Sequence, residues 1–371
     1  MRPFVPQKLP VKNLNWERLS FLISKANSSL SKYSGLLDAL LNPEILLAPI
    51  TTQEAVLSSK IEGTQATFSE VYKLEAGAEQ DKAKENDINE IINYRKAITA
   101  SLEMLERRQF IHLNMLKELH KVLLSGVRGE NRARGEFRKI QNFIGPYGCD
   151  QEMAVYVPPI PENVQDCLGD WERYVNNDEQ EVLVQLAVMH AQFEIIHPFI
   201  DGNGRTGRIL IPIFLLQKGY LKKPAFYLSE YLEANRGAYY EALRNISKSN
   251  DWQGWVEFFL KAIAEQSERG KLKAEKILNL YEDMKKNFYD AAKSRYYINI
   301  LDTFFKKPII NLTTLLSDSG IFNRKTATQI LDKLAKKGYV EILKKGSGSS
   351  PTIFAFPALI NIIENKEESV F

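Results

Sequence analysis

Apolar positions recur three and four apart over most of residues 14–290, the spacing of one helical face. The pattern predicts helices over 15–40, 87–107, 113–124, 162–175, 181–195, 229–247 and 251–267, with no internal repeat. Residues 187–196 and 209–216 are apolar helical runs flanking a short polar break. Residues 55–61 form a further helical stretch, and Gly63 is its stop signal. Residues 139–159 depart from this pattern, being rich in glycine, aromatic and β-branched residues. They predict a hairpin of strands 140–144 and 154–157, with Gly145-Pro146-Tyr147-Gly148 near its tip and Pro158-Pro159 at its end.

Beyond a charged, linker-like helix at 271–290 the pattern changes. Helices are predicted at 297–305 and 311–316; Gly320 marks a turn and Asn323 caps a third helix at 325–337. Strands at 340–344 and 352–356 follow, around Gly346-Ser347-Gly348-Ser349-Ser350. That order is a winged helix-turn-helix. The fold class expected is therefore mainly α, a helical core with a β-hairpin flap, then a small α/β winged domain.

Composition adds bounds. The 371 residues suffice for two or three domains, and a net charge of +3 implies no global attraction to polyanions. No apolar run reaches membrane-spanning length, and the opening MRPFVPQKLP lacks a signal-peptide apolar region. Cys149 and Cys167 fit a reduced, cytoplasmic setting. They form no metal-ligand pattern with the four histidines, which lie far apart in sequence.

The chemistry concentrates in His197-Pro198-Phe199-Ile200-Asp201-Gly202-Asn203-Gly204-Arg205-Thr206-Gly207-Arg208. Pro198 and the Asp-Gly-Asn-Gly cluster break the two apolar helices apart, so this stretch is a loop that opens a helix. Helix N-termini bind anions through unpaired backbone N–H groups. Gly202, Asn203 and Gly204 let those amides approach a phosphate. Arg205 and Arg208, three apart, share a helical face and suit a polyphosphate. Asp201 offers a hard oxygen to Mg²⁺, the companion of a nucleoside triphosphate. His197 can take a proton from an attacking hydroxyl, and Phe199 anchors the loop in the core. The stretch is neither a Walker A loop nor a Rossmann turn.

This stretch resembles the signature of Fic-domain proteins, His-x-Phe-x-Asp-Gly-Asn-Gly-Arg-x-x-Arg, with every fixed position filled. The resemblance implies a protein adenylyltransferase that moves AMP from ATP to a Tyr, Thr or Ser hydroxyl of a target protein. It implies His197 as general base, Asp201 as Mg²⁺ ligand, and Gly202, Asn203 and Gly204 as the α-phosphate anion hole. Arg205 and Arg208 then hold the β- and γ-phosphates, with Thr206 and Gly207 between them in the ATP site. The hairpin resembles the family's flap, implying that Ala154, Val155 and Tyr156 hold the target segment by strand addition. Ser58-Ser59-Lys60-Ile61-Glu62-Gly63 resembles the family's inhibitory motif, so Ser58 and Glu62 are expected to restrain ATP use by pairing Glu62 with Arg208. Tyr227 and Asn235 are the expected nucleoside contacts, with Tyr231 a competing choice.

These readings divide the chain into an inhibitory segment (1–85), a Fic core (86–270), a helical linker (271–292) and a winged-helix domain (293–371). The third helix carries Arg324, Lys325, Lys333, Lys336 and Lys337, and the wing Lys344 and Lys345. These charges suit either duplex DNA or another protein. AMP removal by the same site, and a DNA-binding regulator that senses nucleotide, remain open. So does a homodimer. A Doc-type phosphotransferase fits less well, because that branch carries Lys where this chain has Gly204.

Overall fold

The computed structural model describes residues 2–40, 42–145, 150, 152–347 and 351–366. Among them the chain runs α1 (Trp16–Asp38), α2 (Glu44–Ile61), α3 (Phe68–Glu75), α4 (Lys82–Arg108), α5 (Leu113–Leu123), α6 (Pro161–Asn176), α7 (Val182–Ile196), α8 (Asn203–Gln217), α9 (Ser229–Ala234) and α10 (Arg236–Ser249). It continues with α11 (Trp252–Ala292), α12 (Tyr297–Lys306), β1 (Ile309–Asn311), α13 (Leu312–Ser319), α14 (Arg324–Lys336), β2 (Glu341–Lys344), β3 (Ile353–Ala355) and α15 (Pro357–Ile363). The mainly helical class expected from periodicity is what forms.

These elements pack as two units, each built from separated segments. One comprises Met1–Asp38, Leu57–Gly63 and Ile92–Glu268; the other comprises Ala39–Val56, Thr64–Ile91 and Arg269–Phe371.

The first unit is organised around α7, which touches α1, α6, α8 and α10. From Leu183 to Ile196 every residue except Glu194 is buried, the position forced on a helix that is apolar all round. Helix α8 is likewise buried from Arg205 to Leu215. Trp171 and Trp255 pack against α7 and donate their indole N–H groups to the carbonyls of Met189 (2.9 Å) and Ala187 (2.7 Å). Two large rings are thus buried without an orphan donor. The C-terminal end of α7 has unpaired carbonyls, and the buried Arg138 collects them. Its guanidinium donates to His197 O (2.9 Å), Ile196 O (3.3 Å) and Pro159 O (2.6 Å), and its backbone N–H to Pro198 O (2.8 Å).

In the second unit β3 lies between β1 and β2 in an antiparallel sheet, with Ile310 opposite Phe354 and Phe354 opposite Ile342. Asn311 caps α13 through Thr314 N–H (2.8 Å), and Asn323 caps α14 through Thr326 N–H (3.2 Å). Helices α12, α13 and α14 with this sheet are the winged helix-turn-helix. Helix α3 belongs to the same unit, where Tyr72 donates to Lys306 O (3.3 Å) and Ser69 to Glu364 Oε1 (3.2 Å).

The sequence expectations need several corrections. The flap has no strands among the described residues; it keeps one antiparallel bridge, Ile144 to Tyr156. Beside it Gln141 donates to Pro158 O (3.1 Å), and Asn142 reaches out of the flap to Phe199 O (3.0 Å). Pro158 and Pro159 also have no N–H to give. Pro146, Tyr147, Gly148 and Cys149 of the flap, and Gly348, Ser349 and Ser350 of the wing, lie outside the described residues. The expected helix 229–247 is two helices hinged at Asn235. Helices 251–267 and 271–290 are one continuous element, because Gly270 alone does not stop a helix. The stretch 55–61 is the last part of the longer α2. Strand β1 and helices α3 and α15 had no counterpart in the sequence reading.

The Arg138 clamp gives a stability test. Replacing Arg138 by Met strands several buried carbonyls and is expected to cost about 2–4 kcal/mol, read as a lower urea midpoint. An unchanged midpoint would show that those carbonyls find other donors.

Candidate functional site

The polar break between α7 and α8 is fixed in place by its own residues. Asn203 accepts from Phe199 N–H (2.8 Å) and donates to Phe199 O (2.8 Å), closing the loop on itself. Phe199 is fully buried, as the sequence predicts, and its ring stacks on His120 at 3.8 Å and 4°. Gly202 takes φ 79°, a conformation natural to glycine, and its carbonyl accepts Thr206 N–H as α8 begins.

His197 sits at the end of α7 in the left-handed region, φ 50° and ψ 59°. A non-glycine residue there is uncommon and is held by its surroundings. Its Nδ1 lies 3.3 Å from Glu194 O, which can only accept, so Nδ1 carries the proton and Nε2 keeps its lone pair. Burial pushes the imidazole down to about 4, although Glu194 O and the Glu62 carboxylate pull the other way. His197 is therefore a neutral base at physiological pH.

Arg208 is 2% exposed and is held by Ser58 and Glu62. Its Nε donates to Ser58 Oγ (2.8 Å), and one terminal nitrogen donates to Ser58 O (3.0 Å) and Glu62 Oε1 (2.7 Å). Burial raises the Glu62 carboxyl, but Arg208, Arg205 and His197 together hold it below the usual carboxylate range. The Glu62 carboxylate lies directly on Gly204, where any Cβ would collide with it. Gly207 makes the same room for Glu194, whose carboxyl is pushed up to about 7 by burial, against the pull of Arg208. One carboxyl beside Arg208 is thus ionised, and its neighbour holds its proton more firmly.

A cavity of about 470 Å³ joins several of these groups. Its walls include Glu62, His197, Gly204 and Arg208, with Val155 and Tyr156 of the flap opposite. Tyr156 donates to Ile195 O (2.7 Å), which ties the flap to α7. Ala154 is buried beside them and does not line the cavity. Asp201 lies at the entrance to α8; its Oδ1 accepts Gly202 N–H (2.7 Å), with Arg205 at 3.7 Å and Arg132 at 3.8 Å. No cluster of three or more His, Cys, Asp or Glu suited to a metal occurs among the described residues. Thr206 and Gly207 are buried within α8 and do not face the cavity.

Neither Tyr227 nor Asn235, the expected nucleoside contacts, lines this cavity. The Tyr227 hydroxyl donates to Pro224 O (2.6 Å), and the Asn235 amide to Tyr231 O (2.9 Å). Helix α10 instead supplies Tyr239, Tyr240, Leu243, Arg244 and Ser247. Four of them, 240, 243, 244 and 247, follow the spacing of one helical face, a signal that was present in the sequence. Also missed were Arg138, His120 and the polar pair on α7, His190 and Glu194. His190 donates from Nδ1 to Gly207 O (3.3 Å), and its Nε2 meets Tyr239 Oη (3.1 Å).

The buried α7–α8 pair thus presents a glycine-rich helix start beside a neutral histidine. Residues 21–103 match the Fic/DOC family N-terminal pattern, and residues 110–215 match the Fic/DOC family pattern. The chain belongs to the Fic/DOC family. It is 28% identical over 202 residues to the protein adenylyltransferase Fic of Drosophila mojavensis, and 29% identical to that of Drosophila grimshawi. Those alignments take in 53% of this chain but only 37% and 38% of the relatives, so the chain spans well under half their length. A Fic family protein from Desulfovibrio desulfuricans shares the fold over 96% of this chain and 98% of its own, at TM-score 0.57 and 17% identity. Fic-1 from C. elegans (residues 134–508) matches 71% of this chain and 75% of its own, at TM-score 0.54 and 20% identity. No helix among the described residues is long and apolar enough to cross a membrane.

The buried histidines set a pH dependence. Burial pushes His190 from 6.5 down to about 3. The unfolded chain therefore binds this proton first, and the stability His190 contributes is full above pH 6.5 and lost as pH falls toward 3. At pH 5 the loss from His190 alone is about 2 kcal/mol. Unfolding free energies from urea titrations at pH 7 and pH 5 should differ by at least that much; equal values would mean that the buried histidines are not held neutral.

Proposed function

We propose that this chain is a protein adenylyltransferase restrained by Glu62. The observation that carries the reading is the Glu62–Arg208 pair lying on Gly204 in the same cavity as the neutral His197. The N–H groups of Gly202, Asn203 and Gly204 hold the α-phosphate of ATP, and Arg205 and Arg208 its outer phosphates. The target hydroxyl oxygen attacks the α-phosphorus while its proton passes to His197 Nε2. The bond from that phosphorus to the bridging oxygen breaks, and pyrophosphate leaves. Flap residues Val155 and Tyr156 present the Tyr, Thr or Ser of the target.

Asp201 suits Mg²⁺, since the ion is commonly held by one or two carboxylates plus the substrate's phosphates. The ion would neutralise phosphate charge; the protein's part is to hold Asp201 beside Gly202. The purine is assigned to the face of α10 with Tyr240, Leu243 and Ser247 instead of Tyr227 and Asn235. While Glu62 occupies Arg208, the γ-phosphate loses its donors and meets a carboxylate, so bound ATP is non-productive. The chemistry is expected in the cytoplasm, where Cys167 stays reduced.

With α-labelled ATP, Glu62→Gly should add AMP to itself or to lysate proteins at least about tenfold faster than the unmodified chain. The double variant Glu62→Gly with His197→Ala should add none. Label from the γ-position would instead indicate phosphate transfer. A slower Glu62→Gly that also fails to remove AMP would make Glu62 a catalytic group for removal.

A second reading concerns the winged unit. Arg324, Lys325 and Lys336 of α14, Lys337 at its C-cap and Lys344 and Lys345 of the wing are exposed, while Lys333 donates to Ala292 O (3.2 Å). We propose that this surface meets duplex DNA through phosphates. Binding of the full chain to a duplex of about 20 base pairs should weaken with salt, each phosphate contact adding about 0.9 to the log–log slope. No shift at low salt would leave a protein as the partner.

A further inference from the structure

His120 is 77 positions ahead of His197 in sequence, and the sequence reading gave it no part. In the fold it is completely buried on α5 and makes three contacts with the segments around Asp201. Nε2 lies 2.9 Å from the Asp201 carbonyl. Nδ1 accepts the backbone N–H of Gly135 at 2.9 Å. The ring lies flat on Phe199. A carbonyl can only accept and an N–H can only donate. One form of the imidazole therefore serves both partners: neutral, with its proton on Nε2.

The consequence lies on the other side of the peptide bond. A trans peptide is planar, with its C=O and N–H pointing in opposite directions. Holding the Asp201 carbonyl toward His120 turns the Gly202 N–H away from it, onto the Asp201 carboxylate at 2.7 Å. This N–H precedes the amides of Asn203 and Gly204 that open α8. Gly202 has no side chain against the ring; a Cβ there would sit 3.4 Å from His120 Nε2 and Cδ2.

We propose that His120 is a positioning residue for the α-phosphate site, acting by locking the Asp201–Gly202 peptide, with its N–H on the Asp201 carboxylate, so that the Asn203 and Gly204 amides that follow face the anion. This rests on the reading of Gly202–Gly204 as an anion hole. The phosphate of a bound nucleotide feels His120 through that peptide alone, and the nucleoside does not feel it at all.

Two substitutions separate the two hydrogen bonds. His120→Gln places an amide N–H where Nε2 was and keeps the donor to Asp201. His120→Asn places an amide oxygen where Nδ1 was, keeping the acceptor for Gly135 and losing the donor. Both lose the ring stacked on Phe199. The probes are AMP and adenosine, titrated calorimetrically into the full chain. His120→Asn should weaken AMP about tenfold while adenosine stays within about twofold; His120→Gln should stay within about threefold of the parent for AMP. Equal AMP losses in the two variants, no loss in His120→Asn, or a parallel loss of adenosine would each overturn the assignment. A parent chain that binds AMP no better than adenosine would overturn the anion-hole reading, and this assignment with it. A readout without substitution is the imidazole ¹⁵N spectrum: the proton must reside on Nε2 of His120, and an Nδ1 proton would overturn the proposal.

Discussion

A guanidinium removed from water needs a counter-charge, and the arrangement around Arg208 follows from that requirement. Arg208 lies in the first turns of the buried α8, with Ser58 and Glu62 on its donors. Glu62 supplies that negative charge. The same contact therefore satisfies a buried cation and, on the adenylyltransferase reading, withholds it from ATP. Gly204 is integral to the arrangement, because the carboxylate needs the volume that a side chain would fill.

The loop before α8 is kept rigid by donors and acceptors from separate elements. Arg138 takes the last carbonyls of α7, Asn203 binds both backbone groups of Phe199, and His120 takes the carbonyl of Asp201. Each of these side chains is buried, so each needs its partners as much as the loop needs it. The result is a helix start fixed on a scaffold of packed helices, with Gly202 N–H on the Asp201 carboxylate and the amides of the first turn without partners in the helix. Sites on such scaffolds hold their geometry better than sites on free loops.

Burial also sorts the protonation states. His120, His190 and His197 all sit well below the usual histidine range because charging them in the interior is unfavourable. Glu194 moves up for the same reason, while Glu62, paired with Arg208, moves down. Two carboxyls flanking one arginine are thus divided by pairing alone, one ionised and one inclined to keep its proton.

Much of this was legible along the chain. The all-round apolar runs on either side of His197 required a buried helix pair, because such helices have no face to give to water. The Asp-Gly-Asn-Gly turn required a break between them, and Asn311, Gly320 and Asn323 marked the winged helix-turn-helix by their local hydrogen bonding. The pairing of Glu62 with Arg208 was implied by the resemblance of residues 58–63 to the family's inhibitory motif, and it forms. What sequence order left unresolved were the contacts between distant segments. Gln141 and Asn142 of the flap meet backbone carbonyls of Pro158 and Phe199 that the fold brings near. Tyr240, Leu243 and Ser247 line the cavity because the break at Asn235 starts a new helix with its own facing. His120 and Arg138 were unmarked because their partners are backbone carbonyls, which every residue carries and no sequence pattern distinguishes. The sequence by itself determined the elements and the chemistry of the motif, which depend on neighbours three or four residues away. Only the tertiary structure decided which backbone groups those buried side chains hold, because that depends on positions tens of residues apart.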